Sequence, residues 1–522
     1  MDDLAVFIPL LSLLAAAIIG MGNLINKISG QAGEGLSANI AISAISLSCL
    51  IAFVLLGADL LDKNSGTILV GQWLGSERLA INLSLITTGF SVIVAALFAL
   101  LLVIITRFSV NYIHKEPGFH RFFFTLSLFS SAMLLIALSG NAVGTFVGWE
   151  IAGLCSYFLI SFAYDRPIAI LNATRVFVTN RVGDAGFILG IGLTFYYIGS
   201  VDWITLNEMA EQLTTPTATV IALCFAVAAF AKSAQLPFTP WLARAMEGPT
   251  PSSAIFYGAV MIHAGVFLVI LLQPIFEQAP FVMALLVIVG LFTALYSFIV
   301  GLTQTDIKSS ISFAISGQIG LMFIWCGLGF WELASWHLCA HAIMRSYQVM
   351  TAPSLLHYVH GNPMKPLSQK FAGLRWGYIV SLQRFWLDPI TDRALVRPIN
   401  GLGKDLVHFD SNILDRAMGS PTSAGRAISS FAQLEQKILT AQSDKDDAEF
   451  GRGRGIGGKL FEWVASAMSW FEERLVLRGV GVEIVDIGRY LGQAANTFEK
   501  LILKPRYLVL FVFIVLLIAA SI

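Results

Sequence analysis

A chain of 522 residues that is 56% hydrophobic and only 13% charged, with a mean hydropathy of +0.75, falls outside the composition of soluble globular proteins. Its 33 basic and 33 acidic residues cancel, and no nucleic-acid partner is expected. Cys49, Cys155, Cys224, Cys326 and Cys339 all fall in apolar segments without Cys-x-x-Cys spacing, which points to structural thiols rather than disulfides, zinc or iron–sulfur ligation.

A membrane-spanning helix needs roughly 20 mostly apolar residues. Segments at 4–22, 38–61, 84–106, 121–139, 142–163, 180–199, 218–236, 252–273, 281–302, 309–329, 333–356 and 507–522 qualify. The expected fold class is therefore an all-α polytopic membrane protein of about 12 transmembrane helices. The first segment carries Asp2 and Asp3 and lacks a basic flank, so a retained helix is expected rather than a cleaved signal. Lys27, Arg107, Lys115, Arg121, Arg166, Arg175, Arg181, Arg244 and Lys308 lie in or beside loops that follow odd-numbered spans, whereas the even-numbered loops hold mainly Lys63 and Arg78. The positive-inside rule then puts the N-terminus outside and the long segment after the eleventh span on the cytoplasmic face of a bacterial inner membrane. Four regions follow: N-terminal helices in 1–110, a translocation core in 111–360, a lateral amphipathic segment in 361–505, and a C-terminal anchor in 506–522.

Residues 1–110 carry little chemistry. In the next spans, Glu150 sits among apolar residues and needs a cation or water nearby, unless it simply bonds a neighbouring helix. Arg181 and Asp184 are three residues apart on one helix face, a spacing that suits either a helix-end pair or the mouth of a proton path. Lys232 ends an apolar run, and Pro237 and Pro240 must break the helix just beyond it, leaving carbonyls to be satisfied by protein or water. A lysine there either snorkels to the headgroups or faces the interior of the bundle as part of an ion path.

Farther on, His263 lies in an apolar helix, where it either bonds a neighbour or carries protons. Asp306-Ile-Lys308 heads another span, with Lys308 an anchor or a relay. His337, His341 and Arg345 recur at every fourth residue, so they share one stripe. No Glu follows His337 as it would in a zinc protease motif and no third ligand is present, so neither a metal nor a cofactor is expected. The stripe is instead read as a hydrated proton path. After Pro363 the hydrophobicity drops. Leu395, Ile399, Leu402, Leu406, Phe409 and Ile413 repeat at alternating spacings of an amphipathic helix, and Leu460 to Leu477 form a second such run. Between them 441–458 reads as a flexible linker. Within it, Gly453 to Lys459 only superficially fits a phosphate loop, because Leu460 stands where Ser or Thr is needed.

Six blocks in order give a resemblance: Gly148-Trp-Glu-Ile-Ala-Gly-Leu-Cys-Ser-Tyr157, Asn180-Arg-Val-Gly-Asp184, Ala231-Lys-Ser-Ala-Gln235, Trp241 to Pro251, Asp306-Ile-Lys308 and His337-Leu-Cys-Ala-His-Ala. A weaker match returns at Phe385-Trp-Leu-Asp-Pro-Ile-Thr-Asp-Arg393. Together they resemble the antiporter-like membrane subunits of respiratory complex I (the L or ND5 type) and of Mrp antiporters. The resemblance implies that Glu150 and Lys232 form a charge pair whose separation drives protons, with His337, His341 and Arg345 on the central hydrophilic axis. Tyr257, Arg244 and Arg345 depart from residues usual in the family, and a second broken helix expected after the His337 helix is missing. That truncation is closest to the membrane subunit of the DAB inorganic carbon transporters. It implies a transporter subunit rather than an enzyme, driven by protons and working with a soluble DabA-like zinc partner. The alternatives are a proton-pumping subunit of an NADH-quinone oxidoreductase, beside sister membrane subunits, and an Mrp-type antiporter component.

Overall fold

The computed structural model describes residues 2–75, 80–304, 306–352 and 375–409. Ile413 at the end of the first amphipathic run, the second amphipathic run, the 441–458 stretch with its Gly-rich loop, the last expected span and residues 353–374, where the lateral segment is expected to begin, lie outside these residues. Two units are distinguished, Met1–Val396 and Arg397–Ile522.

The first unit is a helical bundle. Its long elements are α1 (Phe7–Leu24), α2 (Gly30–Asp59), α3 (Gly89–Tyr112), α4 (Phe119–Leu138), α5 (Ala142–Ile160) and α6 (Pro167–Ile198). After the short α7 (Trp203–Glu208) come α8 (Thr215–Lys232), the brief α9 (Pro240–Arg244) and α10 (Thr250–Ser253), then α11 (Ala264–Leu271) and the brief α12 (Gln273–Glu277). The bundle is completed by α13 (Pro280–Gly301), α14 (Ile307–Gly327) and α15 (Trp331–Thr351). Among the described residues 10 helical segments are long and apolar enough to cross a membrane. The eleventh expected span is present as α15, but its histidines and Arg345 keep it short of the apolarity of the other ten. Large side chains such as Leu291, Phe292, Phe298 and Trp336 face outward, as lipid contact requires.

One element departs from an all-helical plan. Strands β1 (Thr67–Gly75) and β2 (Ala80–Ile86) pair antiparallel with Thr67 opposite Ile86, and the alternation of Ile81, Leu83 and Leu85 with Asn82 and Ser84 gives the strand period. The hairpin braces the start of α5. The Asn141 side chain caps that helix by accepting from the Gly144 amide at 2.8 Å, and its amide group donates to the Asn82 carbonyl.

Close helix contact is set by small residues. A side chain at Gly183 would overlap Ala231, one at Gly186 would meet the Cys224 carbonyl at 2.8 Å, and one at Gly190 would meet the Phe225 ring at 2.9 Å. All three lie on α6 and let α8 pack against it at backbone distance, as small residues do in membrane bundles. This packing brings Lys232, at the end of α8, beside Arg181 and Asp184. All five cysteines are free, three buried and two half-buried.

The second unit is described from Arg397 to Phe409, a helix on which Ile399, Leu402 and Leu406 share a stripe opposite Arg397 and Lys404, as an amphipathic helix requires.

Replacing Gly186 by Leu is expected to destabilise the protein by about 1–3 kcal/mol through overpacking, read as a lowered thermal midpoint in detergent. Gly192→Ala, on the same helix but facing open space, is expected to leave the midpoint unchanged.

Candidate ion-translocation site

The helix that carries Lys232 stops at that residue. Ala234 follows in the left-handed region at φ 51°, and α9 begins only at Pro240. Prolines cannot supply amides to a continuing helix, so the backbone groups released at the break need other partners. Ser316 donates to the Ala234 carbonyl at 3.0 Å, Trp241 donates from its indole to the Ala231 carbonyl at 2.8 Å, and Thr293 accepts from the Leu236 amide at 3.0 Å. Three different helices therefore hold the break in shape, and none of these bonds faces lipid.

Lys232 is 1% exposed, which removes the snorkelling alternative. Its ammonium donates to the Trp149 carbonyl at 3.0 Å and lies 4.8 Å from the centre of the Trp149 ring. The ring is fixed in turn. Its indole N–H donates to Asp184 at 2.9 Å, and it packs at 5.3 Å on Phe187, which packs on Phe225 at the same distance. Arg181 completes the group: it pairs with Glu150 on α5, with Asp184 at 2.9 Å along its own helix, and lies over the Phe177 ring at 4.4 Å.

Two cations and two carboxylates thus meet around one tryptophan. The expected direct pair of Glu150 with Lys232 is not formed. Glu150 is held by Arg181 instead, and no carboxylate of a described residue lies within 4.0 Å of the Lys232 ammonium. The carboxylates are bound to a cation that cannot give up its proton, while the cation able to lose one sits on a neutral carbonyl. Among these groups Arg181 and Trp149 were underrated by sequence reasoning, although both stand inside the quoted blocks.

His263 lies where a helix loses its regularity. Residues Ala254–Ala259 form a π turn, Val260 leaves helical geometry at φ −127° and ψ −62°, and Met261–His263 form a tight 3₁₀ turn before α11. Such π turns recur at functional positions. Gly258 allows the approach: a side chain there would meet the α15 backbone at Ser346 at 2.9 Å. The buried His263 then reaches His341 across the gap, Nε2 to Nδ1 at 2.9 Å. Arg345 donates to the other nitrogen of His341 at 3.3 Å and to Gln348 at 2.6 Å, while His337 bonds Gln318 at 3.0 Å. The stripe read from α15 is therefore joined to His263, with Gln318 and Gln348 as partners that periodicity could not reveal.

Lys308 is placed near this second group. It donates to Thr250 at 2.6 Å, Thr250 donates to the Tyr112 hydroxyl at 2.9 Å, and Lys308 lines a small cavity with Tyr257, Ser253 and Ser312. Among the described residues of the helices that carry or adjoin these groups, Gln235 Oε1, Thr239 Oγ1, Ser252 Oγ, Tyr257 Oη and Ser297 Oγ are buried and make no protein hydrogen bond. A buried polar atom left unpaired costs about 1–3 kcal/mol, and in native proteins such atoms commonly hold ordered water.

Comparison with known proteins places the fold in a family. Residues 139–376 match the family described as the NADH:quinone oxidoreductase/Mrp antiporter transmembrane domain, and residues 73–123 match the N-terminal part of complex I chain 5. NAD(P)H-quinone oxidoreductase chain 5 of Synechocystis sp. is 36% identical over 369 residues, 69% of this chain and 54% of that protein. NADH-ubiquinone oxidoreductase chain 5 of Rhizopus stolonifer is 34% identical over 367 residues, 70% of this chain and again 54% of the relative. The chain thus spans about half the length of the curated relatives it matches. In fold it is similar to a chain of the Mrp complex from Dietzia sp., with a TM-score of 0.61 at 19% identity, covering 99% of this chain and 62% of that one. A chain of the archaeal membrane-bound sulfane sulfur reductase gives 0.57 at 15% identity, covering 94% of this chain and 97% of that one. The relatives overturn the expectation of a transporter subunit outside any enzyme, since the proteins matched over two thirds of this chain are named as chains of oxidoreductases. Residues 73–123 and 139–376 therefore carry the antiporter-like membrane domain shared by complex I and Mrp antiporters.

Proposed function

We propose that this chain is a proton-translocating membrane subunit of an NAD(P)H-quinone oxidoreductase type of complex, working beside sister membrane subunits. The observation that carries the reading is the buried Lys232, set at a broken helix on a neutral carbonyl, with Glu150 and Asp184 held one residue away by Arg181. A charge kept at lipid depth is costly and is retained where it moves ions. Transfer of Arg181 between its two carboxylates, or a change in the field at Glu150, alters how strongly the Lys232 ammonium is favoured. A proton released from it enters the line of unpaired polar atoms toward His263 and His341. In this scheme Arg345 sets the field at His341 without exchanging protons, Lys308 joins the line to the Thr250 end of the bundle, and His337 lies on the α14 side.

The translocation core is assigned to 111–360, with the N-terminus outside and the lateral segment on the cytoplasmic side, from the distribution of loop charges. Subunit 5 relatives support the oxidoreductase assembly, and the Mrp match supports the cation path in the same fold. The carbon-transporter reading keeps this membrane machinery and differs in its partner, a soluble DabA-like zinc protein.

Affinity capture from native membranes distinguishes them. Recovery of NAD(P)H- or ferredoxin-oxidising subunits with sister antiporter-like subunits is expected, and recovery of a soluble zinc protein in their place would contradict the assembly. In vesicles containing the captured complex, Lys232→Ala is expected to lower proton translocation by about a hundredfold or more with normal membrane insertion. Wild-type flux in that variant removes Lys232 from the path. His341→Ala is expected to change the pH profile of translocation, because it opens the contact between His263 and Arg345. An unchanged profile would make that contact plain helix packing.

A further inference from the structure

The sequence between Arg384 and Val396 carries two aspartates at a four-residue spacing, and the translocation scheme uses neither. Asp388 lies on the short helix Leu387–Thr391 and Asp392 opens the π turn Asp392–Val396. Asp388 accepts from Arg244 at 3.2 Å, and Asp392 pairs with Arg175 at 2.7 Å. These arginines belong to two of the elements that surround the Lys232 site. Arg244 closes α9, the far arm of the broken helix, and Arg175 lies on α6 ahead of Arg181 and Asp184. A third contact, Arg166 to Glu247 at 2.7 Å, ties the turn after α9 to the start of α6.

The backbone that aims the aspartates is strained. Arg384, Phe385 and Trp386 lie consecutively in the left-handed region at φ 53°, 54° and 53°. For non-glycine residues this is costly and persists only where surrounding contacts fix it. Those contacts are present. The Arg384 guanidinium donates to Gln304 at 3.0 Å and to Asp388 at 3.4 Å and lies over the Phe313 ring at 5.3 Å, while Phe385 packs on Tyr296 at 5.7 Å. Ser381 donates to the Ile299 carbonyl at 2.8 Å just before the strained turn. A loop serving only as a connection has no need of three left-handed residues in a row, anchored on α13 and α14, to point two carboxylates at two core arginines.

We propose that Asp388 and Asp392 are positioning residues for ion translocation: they form a clasp that holds α9 and α6 in register across the break, and so fix Arg181 and Asp184 against Lys232. The clasp rests on the proton-translocation reading, but its geometry stands apart from that reading. Both pairs are half-buried, so each one's contribution to global stability is small. Its effect falls on geometry, because α9 has no long helix of its own to hold it.

The test uses the captured complex in vesicles. Asp388→Arg is expected to lower translocation about tenfold, as a small misplacement of reacting groups does, while the thermal midpoint and the amount of inserted protein stay at wild-type values. Asp392→Arg is expected to slow translocation likewise and the exchange R175D/D392R to restore most of the flux, since Arg175 is the ion-pair partner of Asp392, while Asp388→Glu retains it. Flux unchanged in Asp388→Arg while Lys232→Ala abolishes it overturns the clasp and leaves the translocation reading intact. A folded R175D/D392R variant that stays as slow as Asp392→Arg overturns it as well. One arm is independent of flux: R244C/D388C in native membranes is expected to be joined by a short bifunctional thiol reagent, and failure to join overturns the placement.

Discussion

An ammonium group buried inside the bundle without a direct carboxylate partner is the constraint from which the rest of the molecule follows. At lipid depth such a charge costs about 2.5–3.5 kcal/mol on insertion scales, and Lys232 is placed where the helix itself stops. The break is useful because it frees carbonyls and amides at the depth where polar partners are scarce. Those groups are met by Ser316, Trp241 and Thr293 from surrounding elements. The break is thus a fixed feature of the bundle, and the lysine at its edge is held by Trp149, whose ring and carbonyl both face it.

Around this point the charged groups are shared rather than singly paired. Arg181 shares itself between Glu150 and Asp184, and the same Asp184 accepts from the Trp149 indole. A shift of Arg181 toward either carboxylate changes the negative charge that Lys232 experiences without breaking any helix. The second group, His263, His341 and Arg345, is built at another irregular place, the π and 3₁₀ turns before α11. Both groups therefore sit where regular hydrogen bonding has been interrupted, and the bundle also holds unpaired buried oxygens on Gln235, Thr239, Tyr257, Ser252 and Ser297.

Much of this was legible in the sequence for identifiable reasons. Proline placement fixes the end of α8, the four-residue spacing fixes the α15 stripe, and the three-residue spacing fixes the Arg181–Asp184 pair, because each depends only on helix geometry. What periodicity cannot carry is which residues meet across helices. The Glu150–Lys232 pair implied by resemblance gave way to Glu150–Arg181, since Arg181 projects from α6 into the space between them. Gln318 and Gln348 gave no signal as neutral residues on helices. The hairpin before α3 was read as loop and span because its strands are short and apolar, and the clasp aspartates were visible only as part of a weak motif until Arg175 and Arg244 appeared opposite them.

In the proposed path, water links Lys232 to the histidines through the unpaired oxygens. A cryo-electron microscopy map of the complex in lipid nanodiscs, at a resolution that shows ordered water, tests it most directly. Water density beside Gln235, Thr239 and Tyr257, continuous from the Lys232 ammonium to His263, is the predicted result. Dry apolar packing against those oxygens, with Lys232 turned toward lipid, would contradict the account.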